Sequence, residues 1–151
     1  MSALKDRLQH DLATAIKARD ELTTATLRMA LAAVQNEQVA GKQARELSDD
    51  EVLRVLGREA KRRREAAQAF TDGGRPELAE RERAEDEVLE RYLPAQLSDE
   101  ELTALVRAAV EESGATGMRQ MSQAMKAAQA KVAGRAEGGR VAAEVKRLLG
   151  G

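Results

Sequence analysis

One histidine, no cysteine and no tryptophan limit the chemistry open to this 151-residue chain. A general base or a metal ligand needs partners at a defined distance, and His10, flanked by Gln9 and Asp11 on a polar helical stretch, has none in its sequence neighbourhood. It reads as a surface residue. Without cysteine there are no disulfides, no thiolate nucleophile, no cysteine-ligated zinc and no iron–sulfur cluster. Ser48 and Ser98 each stand three residues before a glutamate, Glu51 and Glu101. That is the capping-box spacing, not a nucleophile elbow. The glycine-rich run GRAEGGR at 134–140 lacks the Gly-Lys-Ser/Thr ending with which a P-loop holds nucleotide phosphates. Its Gly138, Gly139 and Arg140 open a helix, where free backbone N–H groups and the helix dipole favour one phosphate contact. No catalytic residue, cofactor or metal is expected; the residues point to binding.

Charge is abundant and segregated. From Leu53 to Arg64 there are six bases (54, 58, 61, 62, 63, 64) against Glu59, and from Glu77 to Glu90 seven acids against Arg81 and Arg83. If the two stretches form a hairpin centred between Gly73 and Gly74, Arg62 faces position 85 and Arg63 position 84. Glu85 falls on the apolar stripe of its stretch, between Leu78 and Leu89, and Arg63 on that of its own. A structural ion pair among Arg62, Arg63 and Glu85 is therefore expected, because an unpaired buried charge is costly. Arg54, Arg58 and Lys61 recur on the outer face and could meet a protein partner.

The C-terminal end differs. From Ser113 to Gly151 there are seven bases (119, 126, 131, 135, 140, 146, 147) and two acids, Glu137 and Glu144, with no complementary acidic helix expected nearby. Distributed lysine and arginine suit phosphate binding through counterion release. The aromatics are Phe70 and Tyr92 alone, so stacking on unpaired bases is not expected. A folded RNA met through its backbone and shape fits better.

The elements that must position these residues are helices throughout. Leu4, Leu8, Leu12 and Ile16 recur at i+4 behind a Ser2 cap; Asp20 caps a second helix with a wide apolar arc, closed by Gly41. The Ser48 helix runs to Gly73-Gly74, and Arg75-Pro76 start a fourth that ends near Tyr92. Leu93-Pro94 breaks the pattern. Three helices follow: one from Ser98 to Gly114, one along Met118, Met121, Met125, Ala128 and Val132, and one along Val141, Val145 and Leu148. The expected fold is all-α, with a four-helix unit at 1–94 and a three-helix tail at 95–151. With 42% hydrophobic residues, many of them alanine, each core must be thin. The 34% charged residues sum to a net charge of −1. No signal peptide and no membrane span is read, which makes the cytoplasm the expected compartment.

The runs TLRMALAAVQNEQV, KRRREAAQAFTDGGRPELAERERAEDEVLERYLPAQLSDEEL and GATGMRQMSQAMKAAQAKVAGRAEGGRVAAEVKRLL together resemble the GatB/YqeY family. The resemblance covers nearly the whole chain, as in the stand-alone YqeY-like proteins; the YLPAQLS joint and the GRAEGG turn are its most specific pieces. It implies that residues 95–151 are similar to the tail domain of the B subunit of glutamyl-/aspartyl-tRNA amidotransferase, which grips tRNA while the chemistry resides elsewhere. By that resemblance the partners are tRNA and, with it, aminoacyl-tRNA or amidotransferase machinery. Arg119, Lys131, Arg135 and Arg140 carry over as tRNA contacts, and Lys126 as a charge. Family members usually have glycine where Ser122 and Lys126 stand here, and often proline near Ala130.

Overall fold

The computed structural model describes residues 2–150. These are all-helical, without strands among the described residues, and divide into two compact units, Met1–Leu93 and Pro94–Gly151.

The first unit holds α1 (Ala3–Ala18), α2 (Glu21–Gln38), α3 (Asp49–Asp72) and α4 (Pro76–Glu90). Each start has a local cause. Ser2 accepts from the Lys5 N–H, Asp20 from that of Thr23, and Ser48 and Glu51 complete a reciprocal capping box. Pro76, whose missing N–H is one that the first turn leaves unbonded anyway, starts α4. The hairpin α3–α4 is the most extensive pairing, and α2 packs against α1, α3 and α4, which explains its wide apolar arc. The core gathers Leu8, Leu27, Val34, Leu47, Val52, Leu56, Val88 and Leu89, with Tyr92 at its edge. Each large aliphatic side chain contributes roughly 1.5–3 kcal/mol by leaving water.

The second unit holds α5 (Asp99–Ser113), a 3-10 turn (Met118–Gln120), α6 (Met121–Val132) and α7 (Gly138–Gly150). Ser98 and Glu101 form the second capping box, and Gly114 ends α5 in the left-handed region at φ 76°, which a side chain would resist. Five of its twelve buried core residues are alanine (Ala109, Ala115, Ala124, Ala128, Ala136). Small side chains let α6 approach α5 closely, and Met121 and Met125 fill in at the edge of that core. Across the base, the Leu97 N–H donates to the Arg135 carbonyl at 2.8 Å, tying the chain ahead of α5 to the α6–α7 turn.

Candidate nucleic-acid interface

The charged side chains sort by whether the fold already uses them. In the first unit, Arg63 and Glu85 are buried, 4% and 8% exposed, with Arg63 Nε 3.7 Å from Glu85 Oε2. Arg63 Nη1 also donates to the Glu59 carbonyl at 3.0 Å and lies 3.3 Å from its carboxylate. Arg64 meets Asp86 and Glu90, and Arg81 reaches Glu85 from the same helix. Glu82 stands beside this cluster, its carboxyl held above the usual range first by burial and then by Glu85.

Arg62 does not take the place expected of it. Its side chain is 77% exposed and pairs with Glu59 at 3.1 Å. Counting positions across a hairpin fixes depth along the axis but not rotation about it, and one residue turns the side chain by about 100°. Two further cations of this face have local partners: Arg58 meets Glu37 at 3.2 Å, and Lys61 meets Glu65 at 4.0 Å. Arg54 is exposed with no ion-pair partner among the described residues.

In the second unit several expected contacts have internal work. Arg135 donates to the carbonyls of Val132 and Lys131 at 3.0 Å each, closing the end of α6. Arg140 donates to the Leu97 carbonyl at 3.0 Å and meets Asp99 at 3.0 Å. Lys131 meets Glu112 at 3.1 Å. These contacts correct the expectation that no acidic helix lies near the basic tail. The acids of α5 (Asp99, Glu100, Glu101, Glu111, Glu112) precede the stretch that was counted, yet α5 packs on both α6 and α7. Counted from Pro94, eight bases face seven acids. Gly138 and Gly139 are exposed in the first turn of α7, directly after Glu137, so a carboxylate already neighbours that helix start.

What remains is a stripe. Ser122, Lys126 and Gln129 recur along α6 at spacings of four and three, with Arg119 on the 3-10 turn before it and Ala133 just after it, all exposed. From Ser113 to Ala136 there is no aspartate or glutamate. Arg119 and Lys126 have no ion-pair partner among the described residues. Gly138 brings the start of α7 beside this stripe, since a side chain built there would lie 3.9 Å from Gln129 Nε2. Ser122 and Gln129 share the exposed face of α6 with Lys126. Met118, Ala143, Lys146, Arg147 and Gly150 border a shallow, open depression of the surface.

Other chemistry is sparse. His10 is exposed on α1, and among the described residues no three His, Cys, Asp or Glu side chains converge as a metal-holding group. Among them too, no helix is long and apolar enough to cross a membrane.

A helical protein of two small units is the class that the fold defines. The chain belongs to the YqeY-like protein family, whose sequence pattern matches residues 5–149. It is also similar to altered inheritance of mitochondria protein 41, mitochondrial, of Clavispora lusitaniae, at 34% identity over 103 residues, which cover 66% of this chain. The match spans 58% of that relative's length.

Proposed function

We propose that this chain is a non-catalytic accessory protein that associates with tRNA through its C-terminal unit. The observation that carries the reading is the acid-free segment from Ser113 to Ala136, with Arg119 and Lys126 exposed on it and unpaired among the described residues. A cation that makes no ion pair in the free protein can displace counterions from a phosphate without first losing a carboxylate. The resemblance to the amidotransferase tail supports tRNA as the folded RNA concerned, and amidotransferase or aminoacyl-tRNA machinery as its setting. The reading assigns no catalytic step: the chain offers neither a thiol nor a second histidine to partner His10.

The α3 face is the weaker docking surface, because Arg58, Lys61 and Arg62 each meet a carboxylate. A protein adaptor working through Arg54, Arg58 and Lys61 is the second reading. The test is retardation of unfractionated tRNA by the full chain at low salt. Joint Arg119→Glu and Lys126→Glu substitution is expected to weaken binding at least tenfold with helical content unchanged. Binding unaffected by that pair but lost on Arg54→Glu and Arg58→Glu would move the interface to α3. Absence of tRNA binding by the wild-type chain would end the proposal.

A further inference from the structure

We infer that the stripe formed by α6 and the 3-10 turn before it reads the shallow minor groove of an RNA duplex, with Arg119 and Lys126 on phosphates and Ser122 and Gln129 at ribose 2′-hydroxyls. This rests on the RNA reading above and specifies what part of an RNA that surface takes.

Three observations converge. First, the stripe alternates charge with neutral hydrogen-bonding groups: Arg119, Ser122, Lys126, Gln129, all exposed. A purely electrostatic surface has no use for the alternation, whereas a ribose hydroxyl both donates and accepts, as a serine hydroxyl and a glutamine amide can. Ser122 and Gln129 lie seven residues apart, about 10 Å along a helix rising 1.5 Å per residue. That span reaches more than one ribose.

Second, the residues beside these groups are small and exposed. Ala130, Ala133 and Gly134 are exposed, and at Gly139 a built side chain would meet nothing within 4 Å. A helix with small neighbours can lie against a wide, shallow groove, while the deep major groove of A-form RNA excludes side chains.

Third, the second unit contains no aromatic residue, since Phe70 and Tyr92 both precede Pro94. Recognition of unpaired bases depends on aromatic platforms, so single strands lack their usual partner here. Arg119 and Lys126, exposed and without an ion-pair partner among the described residues, supply the charge complementarity.

The inference is tested with the full chain and three fluorescent probes of equal length at low salt: an RNA hairpin duplex, the DNA hairpin of the same sequence, and oligouridine. The RNA hairpin is expected to bind at least fivefold more tightly than either of the others. Joint Ser122→Ala and Gln129→Ala substitution should bring RNA and DNA hairpins within twofold while the salt dependence of RNA binding stays the same. Joint Arg119→Gln and Lys126→Gln substitution should instead weaken both duplexes and reduce the slope of log affinity against log salt by about two. Equal affinity for RNA and DNA hairpins, or tighter binding of oligouridine, overturns the inference even if native tRNA is bound. An RNA preference that survives the Ser122 and Gln129 substitutions overturns it as well. Failure to bind any RNA, native tRNA included, removes the parent reading and this one with it.

Discussion

Arg63 and Glu85 are buried where α2, α3 and α4 meet, whereas the interior of the C-terminal unit is closed by apolar side chains alone. Among the described residues the buried polar and charged side chains, Ser2, Thr23, Thr26, Gln38, Arg63 and Glu85, all belong to the first unit. Both units begin a helix with the same device, a buried leucine followed by a serine–glutamate capping box, at Leu47-Ser48 and Leu97-Ser98. They differ in where charge is placed afterwards. A charge held inside must be matched by the fold itself, so it serves pairing specificity. A charge left outside without a partner is available to a ligand. Net charge conceals this difference, since neither unit is strongly basic or acidic.

The largest effect that can break the comparison is expected at the buried pair. Glu85→Leu leaves Arg63 with Glu59 as its remaining carboxylate partner, and a loss of roughly 3 kcal/mol is expected by urea denaturation. Adding Arg63→Met should recover most of it, because well-packed apolar replacements of buried ion pairs are often neutral. Strict additivity of the two losses would mean that the pair is not an energetic unit.

A smaller effect is expected at the edge of the first core. The Tyr92 hydroxyl donates to Asp11 at 2.6 Å, and Arg7 lies 4.6 Å above its ring. Burial, and then the Asp11 bond, hold the phenol above its usual pKa. Tyr92→Phe should therefore cost about 1 kcal/mol, read as faster amide exchange in α1.

In the second unit, Arg140→Gln removes a part-buried bond to the Leu97 carbonyl and an exposed one to Asp99. About 0.5–1 kcal/mol is expected, with the salt slope of the proposed tRNA binding unchanged. A slope lowered by one phosphate would add Arg140 to the proposed RNA surface.

Smaller again is the acid response of the first capping box. Glu51 is held down to about 2 from 4.5, first by the Arg45 guanidinium and then by the Ser48 backbone N–H. Its folded pKa is depressed, so its contribution is present above pH 4.5 and lost as the pH falls toward 2. Glu51→Gln should flatten that part of a stability-against-pH curve. Glu101 is lowered too, first by the Ser98 backbone, but Arg45 has no counterpart bonded to it, so Glu101→Gln should flatten the curve less. The smallest effect on stability, indistinguishable from zero in urea, is expected for Arg119→Gln with Lys126→Gln.

The helices were legible because their signals are local. Apolar spacing, Ser48-Glu51, Ser98-Glu101 and Pro76 act within a few residues of where they stand. The site was less legible. Lys131, Arg135 and Arg140 have the types of phosphate ligands, but their partners, Glu112, the Val132 carbonyl and the Leu97 carbonyl, could not all be ranked from type and spacing.

By itself the amino-acid sequence determined that this protein is helical, that its chemistry is limited by one histidine and no thiol, and that its charges are segregated into runs. Those properties follow from residue types and short periods. Tertiary structure alone decided which charges are used up. Rotation about the α3 axis buried Arg63 and exposed Arg62, and packing of α5 on α6 and α7 placed acids beside Lys131 and Arg140. A long side chain is paired or free according to what stands within a few ångströms of its end, and that depends on helix rotation and packing, not on order along the chain.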